Sequence, residues 1–321
     1  MSVATKYELK LGAATREAFG RALAEVAKEN PNVVGCDADL SKSTMMTYFA
    51  KEFPTRFFEC GIAEANMVAI GAGLAMAGKI PFVSSFSCFV MNKGFEQLRV
   101  TAAYPGVNLK VVGTHSGISI GEDGPSQMSI EDLALAGALP GFTVISPADE
   151  VATRAAVRWA TEHFGGVFIR TGRAKVPVIY AADAKIEIGK ACQLLPGTDV
   201  TLVAHGMMVA ECIRAAEALD AEGISTRVLD LHTIKPLDEA SLAKAARETG
   251  AMVVAEEHLV DCGLGARVAQ ALARHAPAPM EFVGLDTYAE SGTPEDVPIK
   301  YGLTSASVVS AAKRAIARKA S

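Results

Sequence analysis

Three things are scarce in this chain of 321 residues: paired cysteines, an excess of one charge, and long uninterrupted apolar runs. The six cysteines (36, 60, 88, 192, 212 and 262) are scattered, with no C-x-x-C pair and no His/Cys ligand spacing. That excludes a zinc ribbon or a disulfide framework and points to a reducing compartment. The net charge is only -5, with both signs interspersed, which speaks against a nucleic-acid surface. Glycine or charge interrupts the apolar runs before the roughly 18 residues a bilayer span needs, so no membrane segment is expected. The opening MSVATKYELK has no basic region followed by an apolar core, so no signal peptide is expected either. The default expectation is a soluble cytoplasmic protein, with small-molecule chemistry left open.

Half of the residues are apolar, enough for a substantial core. Short β-rich runs alternate with helical periodicity. Strands are expected at 33–38, 81–86, 109–114, 142–146, 166–170, 199–204, 226–230, 251–255 and 280–285, with amphipathic helices at 14–28, 64–77, 149–163, 207–221, 238–248 and 263–275. Near-continuous apolar strands in such an alternation imply mostly parallel sheets covered on both faces. The segment 174–198 breaks the rhythm and reads as a linker. The expectation is α/β, two doubly wound domains, 1–187 and 188–321.

Polar side chains gather at the ends of apolar runs between 56 and 132: FFECGIAEANM (57–67), SSFSCFV (84–90) and THSGISIGEDGPSQMSIED (114–132). Strand ends are where open α/β sheets bind ligands. Read one at a time, most of these residues have ordinary explanations. A first-turn Glu64 complements the helix dipole. Phe86 and Phe89 would suit a core, and Asp123 before Gly124 forms turns.

Taken together, IAEANM, GEDGPSQM and the ending ESGTPEDVPIKYGLT (290–304) resemble the C-terminal half of a transketolase, from ATREAF (14–19) onward. The resemblance implies a thiamine diphosphate pyrimidine-binding domain followed by a transketolase C-terminal domain. It also implies a two-carbon ketol transfer between sugar phosphates. In the family a carboxyl group on the pyrimidine ring nitrogen favours the imino tautomer that activates the cofactor, and Glu64 matches that position. Phe89 matches the residue stacking on the pyrimidine, and Phe86 a second aromatic of that pocket. Asn92 stands where the family often carries Tyr. Arg16, Ser43, His115 and Arg173 match the set that holds the substrate phosphate, with Arg170 an alternative to Arg173. Asp123 and Gln127 match residues that address the sugar hydroxyls. Asp39 is expected near the thiamine site across a subunit interface, and Glu122 is open between catalysis and an interface or buried hydrogen-bonding role. His205, His232, Glu256, Glu257, His258 and Asp261 fall in the domain that is mainly structural in the family.

Members of the family also need a GDG…N motif for metal and diphosphate. This sequence has no GDG and no Asn after Asn108. The resemblance therefore implies a split transketolase whose N-terminal, diphosphate-binding partner subunit holds Mg2+ or Ca2+, with no metal ligand here and two copies of each subunit in a heterotetramer. The rivals are a 1-deoxyxylulose-5-phosphate synthase, a 2-oxoacid dehydrogenase beta chain, a split transketolase for an unusual sugar, and a non-catalytic assembly partner. The GEDGPSQM wording and the four phosphate-set residues count against the first two.

Overall fold

The computed structural model describes residues 9–319. Seven strands form the first sheet, in the order Thr233–Lys235, Thr143–Ile145, Val167–Arg170, Lys110–Thr114, Ile80–Phe86, Val33–Asp37, Phe57–Glu59. All its pairings are parallel except that of Thr233–Lys235, which arrives from beyond the linker and pairs antiparallel with Thr143–Ile145. The second sheet has five strands: Met280–Leu285, Met252–Leu259, Val200–Ala204, Thr226–Asp230 and, antiparallel at the edge, Cys192–Leu195.

The central strands are buried along their whole length, as near-continuous Val/Ile/Leu/Phe runs require. Each such side chain contributes on the order of 1.5–3 kcal/mol on burial. The expected strands and the six expected helices are all present within a few residues of their bounds, so the fold is α/β with two mostly parallel sheets. The stretch 174–198 is more ordered than its irregular sequence suggests. Lys175–Pro177 pairs antiparallel with Leu11–Ala14, and Cys192–Leu195 joins the second sheet. These short strands have too few residues for a periodic signal and are held by their partners.

Helix Glu150–Glu162 shows how local sequence sets the frame. Asp149 caps it, accepting from the Ala152 N–H at 2.8 Å, a cap worth about 1 kcal/mol. The other carboxylate oxygen takes the Ile179 and Tyr180 N–H groups, tying the start of the linker to the first sheet. Across the two sheets the apolar core is continuous: Phe86, Ile118 and Met128 pack in one cluster with Leu202, Val253 and Ala312.

Candidate active site

Parallel pairing brings the C-terminal ends of distant strands to one edge. Asp37 is level with Glu59 and Ser84, Phe86 with Thr114, and Gly113 with Arg170. Glu64 begins helix Glu64–Met76 and is only 4% exposed. The helix dipole favours a carboxylate there but does not require it to be buried.

Glu64 Oε1 lies 3.4 Å from Nζ of Lys93, on helix Ser87–Gln97. Lys93 sits one turn after Phe89 on the same helix face, its Nζ 4.4 Å from the Phe89 ring centroid. Phe89 stacks on Phe86 with centroids 5.5 Å apart. Phe86 in turn stacks on His115 at 3.7 Å. His115 Nε2 is 3.0 Å from Nη1 of Arg16, which also donates to the Ser43 carbonyl at 2.7 Å. One unbroken line of contacts thus runs from Glu64 to Arg16 and Ser43.

His115 is held in one state. A guanidinium only donates, so Nε2 must accept from Arg16. The ring proton is then on Nδ1, which donates to Thr114 Oγ1 at 2.8 Å. Burial, then the Arg16 and Arg173 charges, push the imidazole pKa down to about 3. The residue sits at φ +58, a left-handed backbone conformation uncommon outside glycine.

Arg173 and Asp123 complete the charged end. Burial, followed by Arg173, lowers the Arg16 pKa, while Glu17 and Asp123 oppose that shift. Arg173 is one-third exposed, donating to the Ile120 carbonyl at 2.5 Å and to Glu122 at 2.8 Å. Glu122 is therefore an exposed partner of Arg173. Arg170 is committed elsewhere: it is 5% exposed and donates to Asp132 and to the Ser129 and Glu257 carbonyls.

Some matched residues lie off this line. Asp39 is exposed at the end of strand Val33–Asp37, with φ +63 and its N–H on Glu59. Gln127 is half-buried and accepts from the Ser126 hydroxyl. Ser43 joins through its backbone carbonyl. Asn92 bonds Glu131.

Two contributors were not singled out in the sequence. Lys93, four residues after Phe89, carried a visible signal. Asp37 did not, because nothing in CDADLSKS separates it from Asp39. Asp37 is fully buried and takes the Leu40 N–H and the Thr44 hydroxyl, each at 2.6 Å, fixing the turn that carries Ser43. Burial pushes its pKa up to about 7.

Of the polar residues expected to be structural, His205, His232, Glu256, Glu257 and His258 are buried, while Asp261 is exposed. Glu256 caps helix Leu264–His275 through the Leu264 and Gly265 N–H groups. Among the described residues, no group of three or more His, Cys, Asp or Glu side chains is placed to hold a metal ion.

Residues 12–178 match the family model described as "Transketolase, pyrimidine binding domain", and residues 189–308 match "Transketolase, C-terminal domain". The chain belongs to the transketolase family. A "6-deoxy-6-sulfo-D-fructose transketolase subunit" from Clostridium sp. (strain MSTE9) is 39% identical over 305 residues, covering 95% of each chain. The human protein named transketolase is 38% identical over 309 residues, which are 95% of this chain and 49% of that one. A solved structure titled "Split gene transketolase, inactive beta4 tetramer" superposes with a TM-score of 0.90 at 47% identity, covering 96% of this chain and all of that one. The chain is thus a transferase component of the split-transketolase kind.

Proposed function

We propose that this chain is the pyrimidine-site subunit of a split transketolase that moves a two-carbon ketol unit between sugar phosphates, complete only with a diphosphate-binding partner subunit. The line of contacts from Glu64 to Arg16 carries the reading. It sets a buried carboxylate and aromatic faces at one end and clustered cations at the other.

The first end fits the aminopyrimidine of thiamine diphosphate, which needs a flat apolar neighbour and a carboxyl group at its ring nitrogen. Glu64 holds the proton at that nitrogen, Phe89 offers the stacking face, and Phe86 backs it. Thiamine diphosphate, when bound, supplies the carbon nucleophile that accepts and releases the ketol unit. Asp39 lies on the cofactor side, across a subunit interface. At the other end Arg16 and Arg173 hold the substrate phosphate with Ser43. His115, neutral and accepting at Nε2, keeps Arg16 aimed. Asp123 and Gln127 address sugar hydroxyls, where a carboxylate left unpaired by the wrong epimer discriminates strongly.

The same reading assigns the metal, Mg2+ or Ca2+, to the partner subunit, and the assembly to a heterotetramer with two equivalent sites. It divides the chain near residue 187. The unpaired cysteines are consistent with the cytoplasm, and the chemistry with pentose phosphate metabolism. No helix among the described residues is long and apolar enough to cross a membrane.

A second reading has one observation in its favour. The relative named for 6-deoxy-6-sulfo-D-fructose covers nearly all of this chain. A sulfonate presents anionic oxygens to Arg16 and Arg173 much as a phosphate does, so the same site would accept it.

The test is ketol transfer from xylulose 5-phosphate to ribose 5-phosphate with thiamine diphosphate and magnesium. The chain is assayed alone and with its diphosphate-binding partner, and 6-deoxy-6-sulfofructose is run as a parallel donor. Activity only in the mixture supports the proposal. Activity from this chain alone removes the shared-site mechanism. Turnover restricted to the sulfonated donor selects the second reading.

A further inference from the structure

Glu257 lies on strand Met252–Leu259 of the second sheet, yet its carboxylate reaches the loop that carries His115 and Asp123. The residue is 5% exposed. Its Oε1 accepts from the Ile118 N–H at 2.8 Å and the Ser119 N–H at 2.6 Å. Its backbone carbonyl accepts from Arg170, which also bonds the Ser129 carbonyl. Ser129 in turn pairs with Gly117 across an isolated antiparallel bridge. The loop is thus gripped on both sides of Ile118.

Gly117 makes the approach possible. It has φ +78, and a Cβ there would stand 2.0 Å from Glu257 Cδ. Further along, a Cβ on Gly121 would meet Pro294 at 2.8 Å and one on Gly124 would meet Ser291 Oγ at 2.3 Å. The 291–294 turn therefore backs the second half of the loop. Behind the first half is a cavity of about 230 Å³ whose lining includes Ser116, Ser119, Arg170, Thr171 and Glu257. The loop has room to relax into that space once the carboxylate is removed.

We propose that Glu257 is a positioning residue: from the second sheet it fixes loop 115–123, so recognition of a phosphorylated sugar depends on a side chain that never touches it. The inference rests on His115 keeping Arg16 aimed at the substrate phosphate, as argued under Proposed function. A residue that merely cemented the two sheets together would stabilise the fold without favouring one substrate. A clamp on this loop must separate phosphorylated from non-phosphorylated donors, because only the former use the Arg16–His115 arrangement.

The experiment compares wild type, Glu257→Gln and Glu257→Leu, each assembled with the partner subunit. KM and kcat are measured for xylulose 5-phosphate and for hydroxypyruvate, a ketol donor without phosphate. Ribose 5-phosphate affinity is measured by calorimetry, and exchange of the Ile118 and Ser119 amides by NMR or mass spectrometry. Glu257→Gln keeps a neutral acceptor and serves as the mild variant should Glu257→Leu fail to fold. We expect at least a tenfold rise in KM for xylulose 5-phosphate in the leucine variant and a smaller rise in the glutamine variant. Hydroxypyruvate kinetics should stay within about twofold, and both amides should exchange at least tenfold faster. Equal loss with both donors, or unchanged ribose 5-phosphate affinity despite faster exchange, overturns the clamp. An inactive wild-type complex would instead refute the proposed reaction, and the ribose 5-phosphate and exchange measurements would still decide the clamp.

Discussion

Arg16 Nη1 lies 3.0 Å from His115 Nε2, and the same guanidinium nitrogen donates to the Ser43 carbonyl at 2.7 Å. Residues 99 positions apart are joined so that the histidine can only accept. That fixes its tautomer and charge and aims the arginine toward the end of the site where Arg173 and Asp123 stand.

Replacing Glu64 with Gln should reduce ketol transfer by roughly 10²–10⁴-fold, the usual range for a lost acid–base group. Assembly with the partner should persist, because Gln keeps the shape of the side chain and Lys93, the partner of Glu64, is itself half-exposed to water. Coupled turnover assays with size-exclusion chromatography would check this. Near-normal turnover would sink the assigned role.

Arg173 and Arg170 should separate cleanly although they are only three residues apart. Arg173→Ala removes a charge-assisted contact worth about 1.5–3 kcal/mol, so KM for phosphorylated substrates should rise roughly 10- to 100-fold at similar stability. Arg170→Ala leaves Asp132 buried and uncompensated. It should cost about 3–5 kcal/mol in denaturant unfolding.

Two of the depressed histidines, His115 and His232, should make the fold acid-sensitive. His115 is pushed down to about 3, by burial and then by Arg16 and Arg173, and His232 to about 4 by burial. Both lie below the unfolded value of about 6.5. Between those limits the unfolded chain binds more protons, so their contribution is full above about 6.5 and is lost as pH falls toward 3–4. His232→Asn should flatten the fall in melting temperature over that window. An unchanged slope would show that other groups dominate.

Asp37 and Asp230 have the opposite sign. Burial raises Asp37 to about 7 and Asp230 to about 8, against about 3.9 unfolded. Their contribution is full below about pH 4 and declines as pH rises from there to 7–8, where it is lost. Asp230→Asn, which keeps an acceptor for the Tyr180 hydroxyl now 2.6 Å away, should lessen the loss of stability between about pH 4 and 8.

The fold was legible wherever a segment buries both faces of a strand or one face of a helix. The runs at 33–38, 109–114 and 199–204 and the amphipathic helices could be read from period alone. The short pieces could not. Thr233–Lys235 has too few residues to carry a pattern, and only its pairing with Thr143–Ile145 makes it a strand.

For the site, the sequence by itself determined the residue types and the family pattern: Glu64, Phe86, Phe89, Asp123, Gln127 and the Arg/Ser/His set stood out in their motifs. Tertiary structure decided which of them touch. It committed Arg170 to Asp132, left Arg173 available, brought in Lys93 and Asp37, and set Glu257 on the Ile118 and Ser119 amides. The reason is physical. Burial and local periodicity are written into neighbouring residues. The partner of a charged side chain depends on strand register and on how two sheets meet, and these emerge only when distant segments pack together.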